Sequence, residues 1–274
     1  MSFKILPIAG DASFRKFFRI KLKKSSKIIV TASKEKYNNL IAYSAVNNFL
    51  IKNKIIAPKI FQHNLPKGII VIEDFGDTTF RKILIKKKNK LPIYKKLVDL
   101  LLKIQKIKPK IKLESIINKP HKLKKYSKKI LQKESNLFFD WYLPSLLNKK
   151  NSKKIENKLK RILSRVYSKL NLPNGCFVHR DYHADNLMKI NEKIGVIDSQ
   201  DALIGNPAYD LVSLIDDVRI KTNTKLKNMV FNYYVKKTLK THKFDKNKLM
   251  EDFNILSVQR SLKIIGIFSR LSKR

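Results

Sequence analysis

The chain predicts an α+β fold of two lobes, a small antiparallel sheet with one helix followed by a larger, mainly helical part. Three observations lead there. Period-two alternation of apolar residues is confined to the early chain, while apolar positions three to four apart dominate from Leu97 onward. A length of 274 residues is enough for two lobes with a proper core. No glycine-rich flexible linker interrupts it, so the lobes should be tightly joined.

In chain order, Phe18, Ile20 and Leu22 alternate with Phe17, Arg19 and Lys21 as a half-buried strand. Residues 27–31 read as its hairpin partner across the turn KKSS (23–26). Ser33 is placed to cap a helix in which Leu40, Tyr43, Val46 or Asn47, and Leu50 share one face. Pro58 closes that region, and Gly68 precedes a strand at 69–72. The next residues, through Gly76, suit a turn, because glycine bends without steric cost. The boundaries expected are therefore 1–72 for the first lobe, 73–77 for a hinge and 78–274 for the second.

Beyond the hinge, Leu97, Leu100, Leu101 and Ile104 mark a helix that ends before Pro109. Residues 110–135 are highly basic and show no clear pattern, and the aromatics at 138–142 are expected in the core. A helix is expected around 154–170, before Pro173. Residues 175–185 are mostly polar or small and read as a loop. Apolar runs at 187–190 and 194–197 then form paired short strands, the second delivering Asp198 at its end. Asp210 opens the helical stripe Leu211, Leu214, Ile215, Val218. Helices around 226–240 and 247–270 complete the chain, with Ile264, Ile265 and Phe268 expected to seat the last one in the core.

Composition excludes several classes. Apolar runs are far too short for a membrane span, the N-terminus has no signal-peptide apolar region, and the single Cys176 cannot form an internal disulfide. A cytoplasmic protein without a membrane partner is expected. The formal charge of +40, from 61 Lys and Arg against 21 acids, would suit a nucleic-acid binder. The lysines, however, are spread through KLKK (21–24), KKKNK (86–90), HKLKKYSKK (121–129) and NKKNSKK (148–154). They are not gathered on one element with interleaved aromatics. Abundant Lys, Ile and Asn with scarce Gly is what an AT-rich genome's codon bias gives, so no specific nucleic-acid surface is expected. The positive field would still favour capture of anionic ligands.

The most informative segment is FVHRDYHADNLMKINEKIGVIDSQD (177–201). His179, Asp181, Asn186 and Asp198 stand at the spacing of a metal-dependent phosphotransferase site, where a carboxylate orients the attacking hydroxyl and oxygen ligands hold Mg²⁺ against nucleotide phosphates. The segment resembles the kinase-like catalytic loop H-x-D-x-x-x-x-N followed by a metal-binding Asp. Because Ser199 and Gln200 rather than Phe-Gly follow Asp198, it is similar to the aminoglycoside phosphotransferase family rather than to the protein kinases. GDASFRKFFRI (10–20), VIEDFGD (71–77), DWYLPSLL (140–147), DSQDALIGNPAYDLVSLIDDVR (198–219) and VQRSLKIIGIFSRL (258–271) narrow the resemblance. Together with the catalytic segment they resemble bacterial anomeric sugar kinases that phosphorylate N-acetylmuramate and N-acetylglucosamine at the C1 hydroxyl.

That resemblance implies a protein-kinase-like fold with a nucleotide-binding first lobe, ATP and Mg²⁺ as cofactors, and a small-molecule sugar as substrate. It implies that Asp181 orients the acceptor and takes its proton, while Asn186 and Asp198 hold Mg²⁺. Gly10, Ser13 and Arg15 would approach the phosphates, and the backbone of Glu73, Asp74 and Phe75 would meet adenine. His179 braces the loop, Asp210 is a buried structural acid, Asp201 is either supporting or simply surface, and Arg260 supports the site by pairing with Asp201 or with the substrate. The usual Lys–Glu phosphate clamp is not visible: KIIVTAS (27–33) carries no suitable lysine, and Glu35 stands near the start of its helix. Arg15, Lys16 or Arg19 would supply the cation, Arg15 first. The rivals are a kinase of an aminoglycoside, choline-like or homoserine-like alcohol, and a non-catalytic basic nucleic-acid-binding protein on the same fold.

Overall fold

The computed structural model describes residues 4–8, 15–23, 25–34, 37–117, 119–239 and 245–273. In chain order the first elements are β1 (Lys4–Ile8), β2 (Lys16–Lys21), β3 (Ser26–Thr31), α1 (Tyr37–Lys52), β4 (Ile60–Asn64), β5 (Ile69–Glu73), α2 (Phe80–Lys86), α3 (Leu91–Gln105), β6 (Lys112–Leu113) and β7 (His121–Lys122). There follow α4 (Lys128–Leu137), α5 (Leu143–Leu146), α6 (Lys149–Tyr167), β8 (Cys176–Val178), β9 (Leu187–Ile190), β10 (Lys193–Val196), β11 (Leu203–Gly205), α7 (Ala208–Ile215), α8 (Thr224–Leu239) and α9 (Lys246–Leu271). The chain divides into two compact units. One comprises residues 1–88, 107–124 and 179–202, the other 89–106, 125–178 and 203–274.

The first unit is built on a five-stranded antiparallel sheet in the order β1-β2-β3-β5-β4. Alternation along β3 and β5 sets its buried face. Ile28 stands opposite Ile72 and Val30 opposite Ile70, and all four are buried. Leu40 and Tyr43 of α1 and Ile117 close that cluster. Between Leu40 and Leu50, α1 is buried at every position but Asn48, so the predicted stripe understates it. The reason is a second neighbour: Ser115 and the Ile116 N–H bond to Ser44, and Asn48 donates to the Glu114 carbonyl. A helix packed from two sides loses its polar face.

Elements without a strong pattern also appear. β1 contains Pro7 and β4 is mostly polar and exposed, as befits the two edges of the sheet. Helix α2 is short and is started by Thr79, whose hydroxyl oxygen accepts the Lys82 N–H. Helix α1 begins at Tyr37, four positions past Ser33.

The second unit is mainly helical. Tyr234 of α8 bonds Gln105 of α3, and Tyr233 bonds Asp99. Residues 176–178, expected in a loop, instead form β8 and pair with β11. Ala208, Tyr209, Asp210 and Ser213 are buried along with Leu211, Val212, Leu214 and Ile215, so α7 has no exposed face, but it stops at Ile215, and Val218 lies beyond it with 57% of its surface exposed. The predicted stripe was one turn too long, because Asp216 leaves helical geometry at the C-terminus.

Candidate active site

The residues of the signature segment that carry polar chemistry, from His179 to Asp201, all belong to the first unit. His179 is fully buried, its Nε2 is 3.0 Å from the Ile197 carbonyl, and its ring meets Tyr182 edge-on. Arg180 takes a left-handed φ of 79°, which turns the chain into half-buried Asp181. The Asp181 carbonyl accepts from the His183 N–H at 2.9 Å and from Asn186 Nδ2 at 3.0 Å. Asn186 in turn accepts the Ile197 N–H on its own carbonyl, at 3.0 Å, extending the β9–β10 pairing by one step. One hydrogen-bonded frame thus fixes Asp181, Asn186 and the residue before Asp198. Asp198 itself sits at φ 62°, a conformation that costs a non-glycine residue and tends to persist where function holds it.

Arg15 reaches this frame from β2's end of the sheet. It ion-pairs with Asp198 and donates Nη1 to Gln200 Oε1 at 2.9 Å. Its guanidinium lies 5.3 Å from the Phe17 ring and 5.7 Å from the Tyr43 ring. Burial pushes the Tyr43 phenol up to about 12, so this wall stays neutral. Ser199 donates to Asn47 of α1, whose Nδ2 bonds the Pro58 carbonyl. The hairpin is tied elsewhere too, Val196 N–H to Ile56, Lys189 N–H to Thr78, and Thr79 Oγ1 to Asp185.

The profile of the phosphotransferase enzyme family (APH) matches residues 4–243. The chain belongs to that family. An N-acetylmuramate/N-acetylglucosamine kinase of Pseudomonas aeruginosa is 30% identical over 276 residues, 99% of this chain and 78% of the relative. The kinase of the same description from Neisseria meningitidis is 26% identical over 271 residues, 97% of this chain and 78% of the relative. Among solved structures, Plasmodium vivax ethanolamine kinase superposes with a TM-score of 0.65 at 13% identity, covering 95% of this chain and 74% of that one. Spectinomycin phosphotransferase in complex with ADP and spectinomycin gives 0.63 at 16%, covering 97% and 82%. At such identities the structural likeness shows the kinase-like fold, as the sequence predicted.

The phosphotransferase places its other predicted residues variously. Gly10 and Ser13 lie outside the described residues. The side chain of Asp74 is taken up by Arg19, at 2.6 and 3.0 Å, and by the Gly76 N–H at 2.9 Å. Burial works against the Asp74 carboxylate, yet bonds from Arg19, Ser26 and Gly76 hold it below its ordinary value. Arg19 also pairs with Asp77, whereas Arg15 meets the hairpin of this frame at Asp198. Glu73 bonds Lys59, and the Phe75 ring closes on Gly195, where a Cβ would fall 2.7 Å from it. Asp201 accepts from Gln200 Nε2 at 3.1 Å and lies 3.7 Å from Arg180.

Asp210 and Arg260 belong to the second unit, both buried. The expectation for α9 is overturned. Ile265 and Phe268 are 37% and 48% exposed, whereas Leu256, Gln259, Arg260, Lys263 and Gly266 face inward. The reason is buried Glu134 of α4. It accepts from Tyr126 at 2.8 Å, Tyr209 at 3.3 Å and Gln259 at 2.8 Å, with Lys263 at 3.5 Å. A buried carboxylate draws the polar side of a helix toward it. Sequence reasoning missed Asn47, Gln200 and Glu134, for which a local pattern carries no signal.

Proposed function

We propose that this phosphotransferase moves the terminal phosphoryl group of ATP to the anomeric C1 hydroxyl of N-acetylmuramate or N-acetylglucosamine, in cytoplasmic salvage of cell-wall sugars. The observation that carries the chemistry is the Asp181–Asn186–Ile197 frame, which holds two acids and an amide on adjoining backbone. The relatives named for these two sugars support the acceptor.

A divalent ion fits these residues. Asn186 uses its Nδ2 on Asp181 and His183, which leaves Oδ1 as a hard oxygen donor, and the carboxylate of Asp198, which follows the Ile197 paired to Asn186, is partly exposed. Two protein ligands suit Mg²⁺, which keeps waters and binds phosphate oxygens for the rest. When bound, Mg²⁺ would neutralise charge on the nucleotide phosphates. Asp181 orients the acceptor hydroxyl and takes its proton as the new O–P bond forms and the bond to ADP breaks. Arg15, together with Gly10 and Ser13, serves the phosphates, and the backbone of Glu73–Phe75 serves adenine. His179, Asp201, Asp210 and Arg260 support this arrangement without touching reactants.

The test is ATP turnover with a panel containing both amino sugars, an aminoglycoside, choline, ethanolamine and homoserine, the product being located by phosphorus NMR. A sugar 1-phosphate is expected. Phosphorylation at C6, or turnover only with another alcohol, overturns the acceptor assignment. Absence of turnover with every acceptor favours the non-catalytic rival.

A further inference from the structure

We propose that Gln200 is a positioning residue that seats the Arg15 guanidinium on Asp198, and that this Arg15–Gln200–Asp198 set stands where a Lys–Glu pair is missing. The inference rests on the reading above for the role of Asp198 alone.

Three observations converge. First, both ends of the Gln200 amide are committed, Oε1 to Arg15 and Nε2 to Asp201, so flipping it would lose both bonds. Gln200 is only 7% exposed, which leaves little room for water to replace either. Second, the Arg15 side chain is 5% exposed between Phe17 and Tyr43, and arginine does not shed its proton. A buried fixed cation needs an anion, and Asp198 supplies one. Third, Asp201 also lies near Arg180, the residue before Asp181. One amide therefore connects the arginine on the metal-side carboxylate to the arginine beside the catalytic one.

The consequence is physical. A guanidinium on Asp198 fixes that carboxylate's position and offsets its charge, so it opposes metal binding in the absence of nucleotide. Releasing Arg15 should strengthen such binding while slowing phosphoryl transfer, because Asp198 is no longer held in one place. Conventional packing by Gln200 would do neither.

Gln200→Leu keeps the volume and removes both hydrogen bonds, and Arg15→Met fills the slot between the rings. Mn²⁺ affinity of the nucleotide-free protein, followed by electron paramagnetic resonance, should rise roughly threefold or more in each. The kcat of Gln200→Leu should fall. In the double variant Gln200→Leu should add nothing, since its effect passes through Arg15. Nitrogen-15 NMR gives a readout without metal: rotation about the Arg15 Nε–Cζ bond should be slow in the wild type and fast in Gln200→Leu. Unchanged rotation, or a Gln200→Leu effect that persists in full on the Arg15→Met background, overturns the proposal. If Mn²⁺ binds to no variant, the metal role of Asp198 fails, and the rotation measurement still decides on Gln200.

Discussion

Ser199 donates its hydroxyl hydrogen to the side-chain carbonyl of Asn47 across 2.5 Å, and both residues are buried. The bond links α1 to the residue that follows Asp198, and Asn47 spends its other end on Pro58. Asn47→Leu leaves a buried hydroxyl and a buried carbonyl without these partners, which should cost about 2–4 kcal/mol. Urea denaturation measures this. A loss below half a kcal/mol would mean that water replaces the amide.

Asp181→Asn keeps the shape of the side chain but cannot take a proton. Its kcat should fall by ~10²–10⁴ with nucleotide affinity retained. Wild-type turnover in this variant would remove Asp181 from the reaction.

For Asp198 the informative change is to Asn, since Ala would remove the hydrogen-bond acceptor as well as the charge that Arg15 meets. Asp198→Asn keeps an acceptor for Arg15, and turnover should vanish while the circular dichroism spectrum is preserved. A folded Asp198→Asn protein with normal turnover would exclude the metal-ligand role.

Gly266 faces Leu137 so closely that a Cβ would lie 2.3 Å from its carbonyl carbon and 2.4 Å from its oxygen. Gly→Ala inside a helix ordinarily stabilises by about 1 kcal/mol. Here the sign should reverse, with a loss of about 1–3 kcal/mol from forced separation of α9 and the end of α4. Thermal melting of Gly266→Ala checks the sign.

Arg19 holds Asp77 below its ordinary value through hydrogen bonds, and it holds Asp74 there against the effect of burial. A depressed folded pKa contributes stability that is complete above the unfolded value of about 3.9 and is lost as pH falls through the folded one. The melting-temperature deficit of Arg19→Ala should therefore be full at neutral pH and shrink as pH drops below about 4. A deficit independent of pH would assign Arg19 to packing.

Glu134 is the acid around which Gln259 and Lys263 of α9 assemble, and Arg260 lies among them, acting with Lys263 on the Tyr209 phenol. Glu134→Ala removes the buried carboxylate shared by Tyr126, Tyr209, Gln259 and Lys263 and should cost about 3–5 kcal/mol. Arg260→Ala should lower phosphorylation per folded molecule as well as stability. Loss of stability alone would reduce Arg260 to a member of this cluster.

The catalytic loop was legible because its chemistry is local. Asp181, Asn186 and Asp198 are brought together by one turn and one short hairpin, and both are written in neighbouring residues. The fold class was legible for a similar reason, since the short apolar runs of β3 and β5 and the spacing within α3 report burial directly, whereas the alternation read at 17–22 did not, β2 being half-buried on both faces and Leu22 exposed beyond its end. By itself the sequence therefore determined the kind of fold and set Asp181, Asn186 and Asp198 on one loop and one hairpin. Only the tertiary structure decided what holds them. Arg15 and Asp198 are 183 positions apart, and Asn47 and Ser199 are 152 apart, so no periodicity connects them. The inward face of α9 followed the same logic: hydropathy favours Ile265 and Phe268, but the buried charge of Glu134 outweighs it and turns Gln259, Arg260 and Lys263 toward the core. A helix shows its apolar stripe in its own sequence, whereas the partner that decides which stripe is buried lies elsewhere in the chain.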